Sequence, residues 1–196
     1  MVLRELTQLT SLYLYENELI SLPIALGELT QLQSLDLNNN KLTSLPDSKV
    51  IQPKVPQGDL GKLTQLRILD LKNNELTSLP SSIGELTQLE ELYLHDNELT
   101  SLPSSIGKLT QLEILWLDKN ELTSLPDSKV IQPKALQGLG ELTQLRHLRF
   151  ENNRLTSLPD SLGNLTQLVR LKLKDNKFPS YPKVLNKLIN TQIDIF

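Results

Sequence analysis

The sequence predicts an α/β solenoid, a chain wound into successive coils that each give one short strand to a parallel sheet and return along the opposite side through turns. Three observations predict it. The frame LxxLxLxxNxL begins at Leu9, Leu32, Leu66, Leu89, Leu112 and Leu145, and again at Leu168 with Phe178 closing it. The asparagines of these seven copies, Asn17, Asn40, Asn74, Asn97, Asn120, Asn153 and Asn176, follow one another at intervals of 23, 34, 23, 23, 33 and 23 residues. Finally, 47 of the 196 residues are leucine against 3 phenylalanines, although only 38% of the chain is hydrophobic. One residue type filling the core implies repeated identical sockets.

Each part of the repeat has its own physical reason. In LxxLxL, leucines alternate with variable residues, the pattern of a strand with one buried face; stacked strands lie about 4.7 to 4.9 Å apart. Leu92 and Leu94 are therefore expected to point inward, and Phe150 takes the equivalent inward slot in the sixth copy. Asparagine carries both an amide donor and a carbonyl acceptor, so at the corner after the strand it can serve backbone groups that no regular ladder reaches. The seven are expected to form an asparagine ladder. In the return stretch, typified by LTSLPSSIGELTQL (Leu76 to Leu89), Pro80 is expected to stop the strand, Gly84 to permit a turn, and Leu79, Ile83 and Leu86 to fill the convex core.

The frame LxxLxLxxNxLxxLPxxIGxLxxL, nearly perfect from Leu66 to Leu125, resembles the leucine-rich-repeat family over essentially the whole chain. The LxxLP element (Leu76 to Pro80, Leu99 to Pro103) and the 23-residue length are similar to the intracellular Ras-group repeats and to bacterial and Roco-type arrays. The resemblance implies a right-handed horseshoe with a concave parallel sheet that binds other proteins, and a convex side of loops, 3-10 turns or short helices.

A single domain is expected over 1–196: a partial repeat at 1–8, six repeats over 9–167, and a closing repeat over 168–196. Residues Met1 to Gln8 match the tail of a repeat rather than a polar cap, so either an array begins upstream or the repeat scaffold is engineered. After Pro182, Val184, Leu185, Leu188 and Ile189 fall on one helical face, and Thr191 to Phe196 alternate like a last strand, together shielding the final coil. Two insertions, KVIQPKVPQGD (49–59) and KVIQPKALQG (129–138), are near copies placed on the return path. They are either the by-product of a duplicated block of about three repeats or paired loops, roughly 15 Å apart at three strand spacings, that grip one partner twice.

Comparison of the copies separates scaffold from message. Leucines, asparagines and the LTSLP tail barely vary, whereas the outward strand positions differ in every copy. The middle outward ladder reads Tyr13, Asp36, Asp70, Tyr93, Trp116, Arg149, Lys172. On one side of it run Ser11, Ser34, Ile68, Glu91, Ile114, His147 and Arg170, and on the other Tyr15, Asn38, Lys72, His95, Asp118, Glu151 and Lys174. These are the candidate protein-binding residues of the concave face. Tyr93 and Trp116 should be neighbours with Ile114 beside them, and aromatics of this kind dominate interface energetics. Packing of Trp116 along its own ladder against Tyr93 and Arg149 is the competing reading. Arg146, Arg149, Arg170, Lys172 and Lys174 make one end basic, while Asp36 and Asp70 make an earlier stretch acidic, so a partner of opposite polarity is expected.

Other functions find little support. With 20 basic against 23 acidic residues there is no overall field for nucleic acid or anionic lipid. There is no cysteine, hence no disulfide cap, thiolate metal site or cysteine nucleophile, which favours a reducing, cytoplasmic compartment. No apolar stretch approaches a membrane span and no leader pattern precedes Leu9. His95 and His147 lie two repeats apart without metal-ligand spacing to carboxylates, and no phosphate loop, GxSxG or HExxH occurs. The carboxylates Glu90 and Glu91 point to different sides of a strand, and the sequon Asn164-Leu165-Thr166 fills an ordinary variable slot. No cofactor, no metal, no catalytic residue and no nucleic-acid partner is expected. The expectation is a protein-interaction scaffold, not an enzyme, whose partner is another protein or peptide. Alternatives are a purely structural or engineered array without an evolved ligand, or the recognition domain of a larger enzyme or effector. A monomer is expected, with the N-terminal end and the insertions as surfaces for self-association.

Overall fold

The computed structural model describes residues 6–47, 59–127 and 138–195. The readings on the insertions, Asp59 and Gly138 apart, on residues 1–5 and on Phe196 lie outside the described residues.

Eight strands of three residues each form one parallel sheet in strict chain order: β1 Ser11–Tyr13, β2 Ser34–Asp36, β3 Ile68–Asp70, β4 Glu91–Tyr93, β5 Ile114–Trp116, β6 His147–Arg149, β7 Arg170–Lys172 and β8 Gln192–Asp194. The register is unshifted throughout, so Leu12, Leu35, Leu69, Leu92, Leu115, Leu148, Leu171 and Ile193 pair in one row. A frame with an invariant spacing between its leucines and its asparagine leaves the register no freedom, because a slip by one residue would turn every leucine outward. Opposite the sheet each coil makes one 3-10 turn among the described residues, such as Ser81–Glu85 or Ser104–Lys108. The result is a solenoid of the α/β kind whose irregular side holds 3-10 turns.

Leucine fills the space between. Leu92, Leu94, Leu79, Ile83 and Leu86 are all buried, as is Phe150. Each fully buried leucine contributes roughly 1.5 to 3 kcal/mol relative to an exposed one.

One expectation about the return stretch is corrected and another is sharpened. Pro80 does not stop a strand: β3 ends at Asp70, ten residues earlier, and Pro80 stands at extended φ and ψ as the residue before the 3-10 turn. Its fixed φ sets the entry to that turn. Gly84 lies in a turn as expected, within the 3-10 turn Ser81–Glu85, but the demand for glycine comes from the neighbouring coil. A β-carbon there would lie 2.5 Å from the Ser105 carbonyl oxygen and 2.8 Å from the Ser105 Cβ, so glycine is required by the close approach of the next coil.

The left-handed residues lie elsewhere, at the corner after each strand. Glu16, Asn39, Asn73, Asp96, Lys119, Asn152 and Asp175 have φ between 50 and 56°. Each immediately precedes a ladder asparagine, and that kink aims the amide into the coil. Asn74 shows the arrangement. Its Nδ2 donates to the Leu37 carbonyl of the preceding coil at 3.0 Å and to the Leu71 carbonyl of its own at 3.1 Å, while its Oδ1 accepts from the Leu42 N–H at 3.0 Å. Asn40, Asn97, Asn120, Asn153 and Asn176 repeat this pattern. Asn17, at the exposed first coil, donates to Leu14 and Tyr15 carbonyls alone among the described bonds.

At the C-terminal end Lys183–Lys187 form a 3-10 turn rather than a longer helix, and β8 is the final strand. Val184, Leu185 and Leu188 are buried, but Ile189 is 88% exposed and takes no part in the closing face. At three residues per turn the apolar stripe of the 3-10 turn runs differently from that of an α-helix, and Ile189 has already left it.

Candidate functional site

The unshifted register decides which variable residues meet. On the outward face of the sheet the middle ladder runs Tyr13, Asp36, Asp70, Tyr93, Trp116, Arg149, Lys172, each hydrogen-bonded strand to strand with the next. The outward residues do not stand alike toward solvent. Tyr13, Tyr15 and Arg170 are exposed. Asp36, Ile68, Asp70, Lys72, Tyr93, His95, Ile114, Trp116, His147, Arg149, Glu151 and Lys172 are half-buried. Asn38 and Asp118 are buried, in contrast to the expectation of a free display at these positions.

Those two buried residues are covered because they hold the ladder together. Asn38 Nδ2 donates to Asp36 Oδ1 at 2.5 Å and reaches Asp70 Oδ2 at 3.4 Å. Asp118 Oδ1 accepts the Glu151 N–H at 2.9 Å, and its Oδ2 lies 2.8 Å from Arg149 Nε. That Arg149 nitrogen is poorly aimed for a hydrogen bond, so the contact is an ion pair more than a directed bond. Burial raises the Asp118 carboxyl above the ordinary carboxylate range, with Arg149 pulling the other way. Burial likewise raises Asp70, against its bond from the Lys72 N–H and the charge of Lys72.

Four residues form the centre of the face. The Tyr93 and Trp116 rings meet edge to face with centroids 5.0 Å apart, His95 lies 5.6 Å from Trp116, and the Arg149 guanidinium sits 4.6 Å from the centroid of the Trp116 ring. Trp116 lies on the outward face and is packed along its ladder against Tyr93 and Arg149, as the competing reading expects. The Tyr93 hydroxyl donates to Glu91 Oε2 at 2.6 Å; burial, and then this bond, raise the phenol far above its usual range. Burial lowers the His95 imidazole below its ordinary value, and its Nδ1 is covered without a hydrogen-bond partner among the described residues, as is Trp116 Nε1.

Beside this cluster, between β5 and β7, lies a hollow of about 360 Å³ lined by Ile114, Trp116, His147, Arg149, Arg170 and Lys172. The basic end is less uniformly basic than the sequence suggests. Glu151 Oε2 accepts from Arg149 Nη2 at 3.1 Å and from Lys172 Nζ at 3.3 Å. Asp118 and Glu151 stand in the adjacent ladder, and the pairing across ladders neutralises the arginine and the lysine in part.

The geometry defines a repeat scaffold in which an invariant core presents a variable face. Family models agree. A leucine-rich-repeat region is matched over residues 52–137, a two-copy leucine-rich-repeat model over 7–50, and a single leucine-rich repeat over 144–165. The chain belongs to the leucine-rich-repeat family.

Solved structures place the fold in the same group. A leucine-rich-repeat protein of Leptospira interrogans is 33% identical over 98% of this chain and 50% of its own, with a TM-score of 0.71. The plant peptide-hormone receptor RGFR1, solved in complex with RGF2, is 31% identical over 98% of this chain and 29% of its own, with a TM-score of 0.76. The ectodomain of the Arabidopsis thaliana membrane receptor kinase GASSHO1/SCHENGEN3, in complex with CASPARIAN STRIP INTEGRITY FACTOR 2, is 31% identical over 97% of this chain and 24% of its own, with a TM-score of 0.66. The chain therefore spans half or less of the length of these structures, and its coils are those of the leucine-rich-repeat horseshoe. No curated protein matches the sequence.

Proposed function

We propose that this chain is a protein-interaction module that holds a partner polypeptide on the outward face of its sheet, with Trp116 and Tyr93 at the centre of the contact. The reading assigns the chain no reaction of its own. The observation that carries it is the cluster of Tyr93, His95, Trp116 and Arg149: aromatic, half-exposed, and placed where the copies vary most while the scaffold beneath is uniform. Two of the similar structures, RGFR1 and GASSHO1/SCHENGEN3, are complexes with RGF2 and CASPARIAN STRIP INTEGRITY FACTOR 2, which supports a polypeptide as the ligand class. Large rigid aromatics cost little side-chain entropy to fix and supply most of the contact energy in such interfaces.

The test is photocrosslinking in cells of the source organism with a photoreactive residue at position 93, compared with one at the exposed position 108 on the convex side. A discrete adduct at 93, absent at 108 and lost on Trp116→Ala, is the expected result. Equal labelling at the two positions would contradict it and favour an array without an evolved ligand.

A further inference from the structure

The hollow between β5 and β7 joins an apolar wall to a cation the fold leaves unused. Trp116 and Ile114 form the wall; His147, Arg149, Arg170 and Lys172 form the remainder. At about 360 Å³ it lies at the low end of ligand pockets, which run roughly 300 to 1,000 Å³, and takes a side chain or two rather than a cofactor.

The charges around it do not cancel. Arg149 is paired with Asp118 and Glu151, and Lys172 with the same Glu151 oxygen. Glu151 is thereby shared between two cations, and the second Asp118 oxygen already accepts the Glu151 N–H; Asp194, in register with Lys172 on β8, makes no ion pair among the described residues and leaves Arg170 as the cation farther from any carboxylate. Arg170 is exposed and has no ion-pair partner among the described residues, and Arg146 before β6 and Lys174 after β7 are in the same condition. A cationic ligand would be repelled here, and a purely apolar one would cover Arg170 without satisfying its donors. Stacking of a nucleobase is disfavoured because the Trp116 ring already carries the Arg149 guanidinium.

Resting on the reading that this face holds a polypeptide, we propose that the hollow takes an apolar side chain against Trp116 and Ile114 together with an acidic side-chain carboxylate against Arg170 and Lys172, so that the partner is an extended acidic segment. In an extended chain, residues two apart share a face and stand roughly 7 Å from each other, while β5 and β7 are separated by about 9.5 Å at two strand spacings. The reach of Arg170 and Lys172 closes the difference, so the acidic residue sits two positions from the apolar one.

The experiment pans a displayed library of random linear peptides, joined to the carrier at their C-termini, against the purified full chain. Synthetic peptides with amidated C-termini then follow by fluorescence polarisation. Expected are sequences with an aspartate or glutamate two positions from an apolar residue, weakened about tenfold by Glu→Gln in the peptide and about tenfold by Arg170→Glu in the protein. A lysine-for-glutamate peptide should regain affinity for Arg170→Glu. Because Arg170 is exposed and unpaired, that variant should keep the wild-type melting temperature; Lys172→Gln provides an independent second loss.

Peptides that need Trp116 but show no acidic preference, or ignore Arg170→Glu, would overturn the acidic-segment assignment and leave the proposed function standing. So would binding that requires a free C-terminal carboxylate, or competition by a single-stranded RNA with the same dependence on Arg170. Peptides indifferent to Trp116→Ala would remove both.

Discussion

Replacing Asn97 by alanine deletes three good hydrogen bonds, but they do not cost the same. Asn97 Nδ2 donates to the Leu71 carbonyl at 2.9 Å and the Leu94 carbonyl at 3.2 Å, and Oδ1 accepts from the Leu76 N–H at 3.0 Å. Each carbonyl has a second asparagine to fall back on: Leu71 also receives Asn74, and Leu94 also receives Asn120. The Leu76 N–H has no other acceptor among the described bonds, and it is buried. The cost is therefore set by one orphaned donor, about 1 to 3 kcal/mol, rather than by three bonds summed. For a chain of this size each kcal/mol moves the melting temperature by about 2 to 4 °C. Asn17→Ala is the control, since it lies exposed at the first coil and should change stability by a few tenths of a kcal/mol at most. Urea unfolding followed by the fluorescence of Trp116, the only tryptophan, measures both. Equal midpoints for Asn97→Ala and Asn17→Ala would refute the reasoning.

Further expectations follow from the same geometry. Gly84→Ala pushes a β-carbon to 2.5 Å from a backbone oxygen of the next coil and should cost roughly 1 to 3 kcal/mol in a thermal melt, whereas Glu85→Ala on the surface should cost almost nothing. Lys119 has φ of 51° and an exposed ion pair with Asp96 at 2.8 Å. Relief of the left-handed strain outweighs so weak a pair, so Lys119→Gly should leave stability within about 0.5 kcal/mol of wild type while Lys119→Val loses about 1 to 2. His95 is held below its ordinary value by burial, opposed by Asp96 and Asp70 and assisted by Lys72 and Arg149. Its imidazole resonances should titrate below about 6.5. Because the unfolded chain then binds the proton first, the contribution of His95 to stability is full above the unfolded value and is lost as pH falls through the window below it. His95→Gln should remove that part of the pH dependence, and a titration midpoint at or above the ordinary value would contradict the burial of the ring.

Much of this molecule could be read before any coordinates. The spacing of Leu66, Leu69, Leu71 and Asn74, copied seven times, specifies strand, inward face and corner together, and an unshifted register follows because no copy offers an alternative. The roles of Pro80 and Gly84 were less legible. A proline and a glycine in a loop read as a strand stop and a turn, but the actual constraints, a preset entry to a 3-10 turn and a backbone of the next coil 2.5 Å from a would-be Cβ, lie between coils. Ile189 has the spacing of an α-helical face, but the chain there forms a 3-10 turn, whose period leaves it outside the apolar stripe. The left-handed corner carries a sequence signal too, asparagine or aspartate in five of its seven copies, though glutamate and lysine in the other two blur it.

The candidate site divides the same way. Which residues share the outward face was readable from alternation alone. How much of each remains free was not, because the burial of Asp118 and Asn38 and the partial neutralisation of Arg149 and Lys172 arise from pairs between neighbouring ladders. Those contacts convert a row of charges into a basic hollow with one arginine in its lining unpaired among the described residues. Sequence order supplies the parts, and the stacking distance of the coils decides which of them are spent on the scaffold.

The central claim is that the outward face of the sheet, and not the convex side, carries the recognition. It is tested most directly by the affinity of the photocaptured partner for two sets of single alanine variants, Tyr93, Trp116 and Arg170 on the sheet against Thr87, Glu85 and Lys108 on the return side. The account predicts losses of about tenfold or more for the first set and less than about twofold for the second. Losses confined to the return side, with Trp116→Ala binding as wild type does, would contradict it.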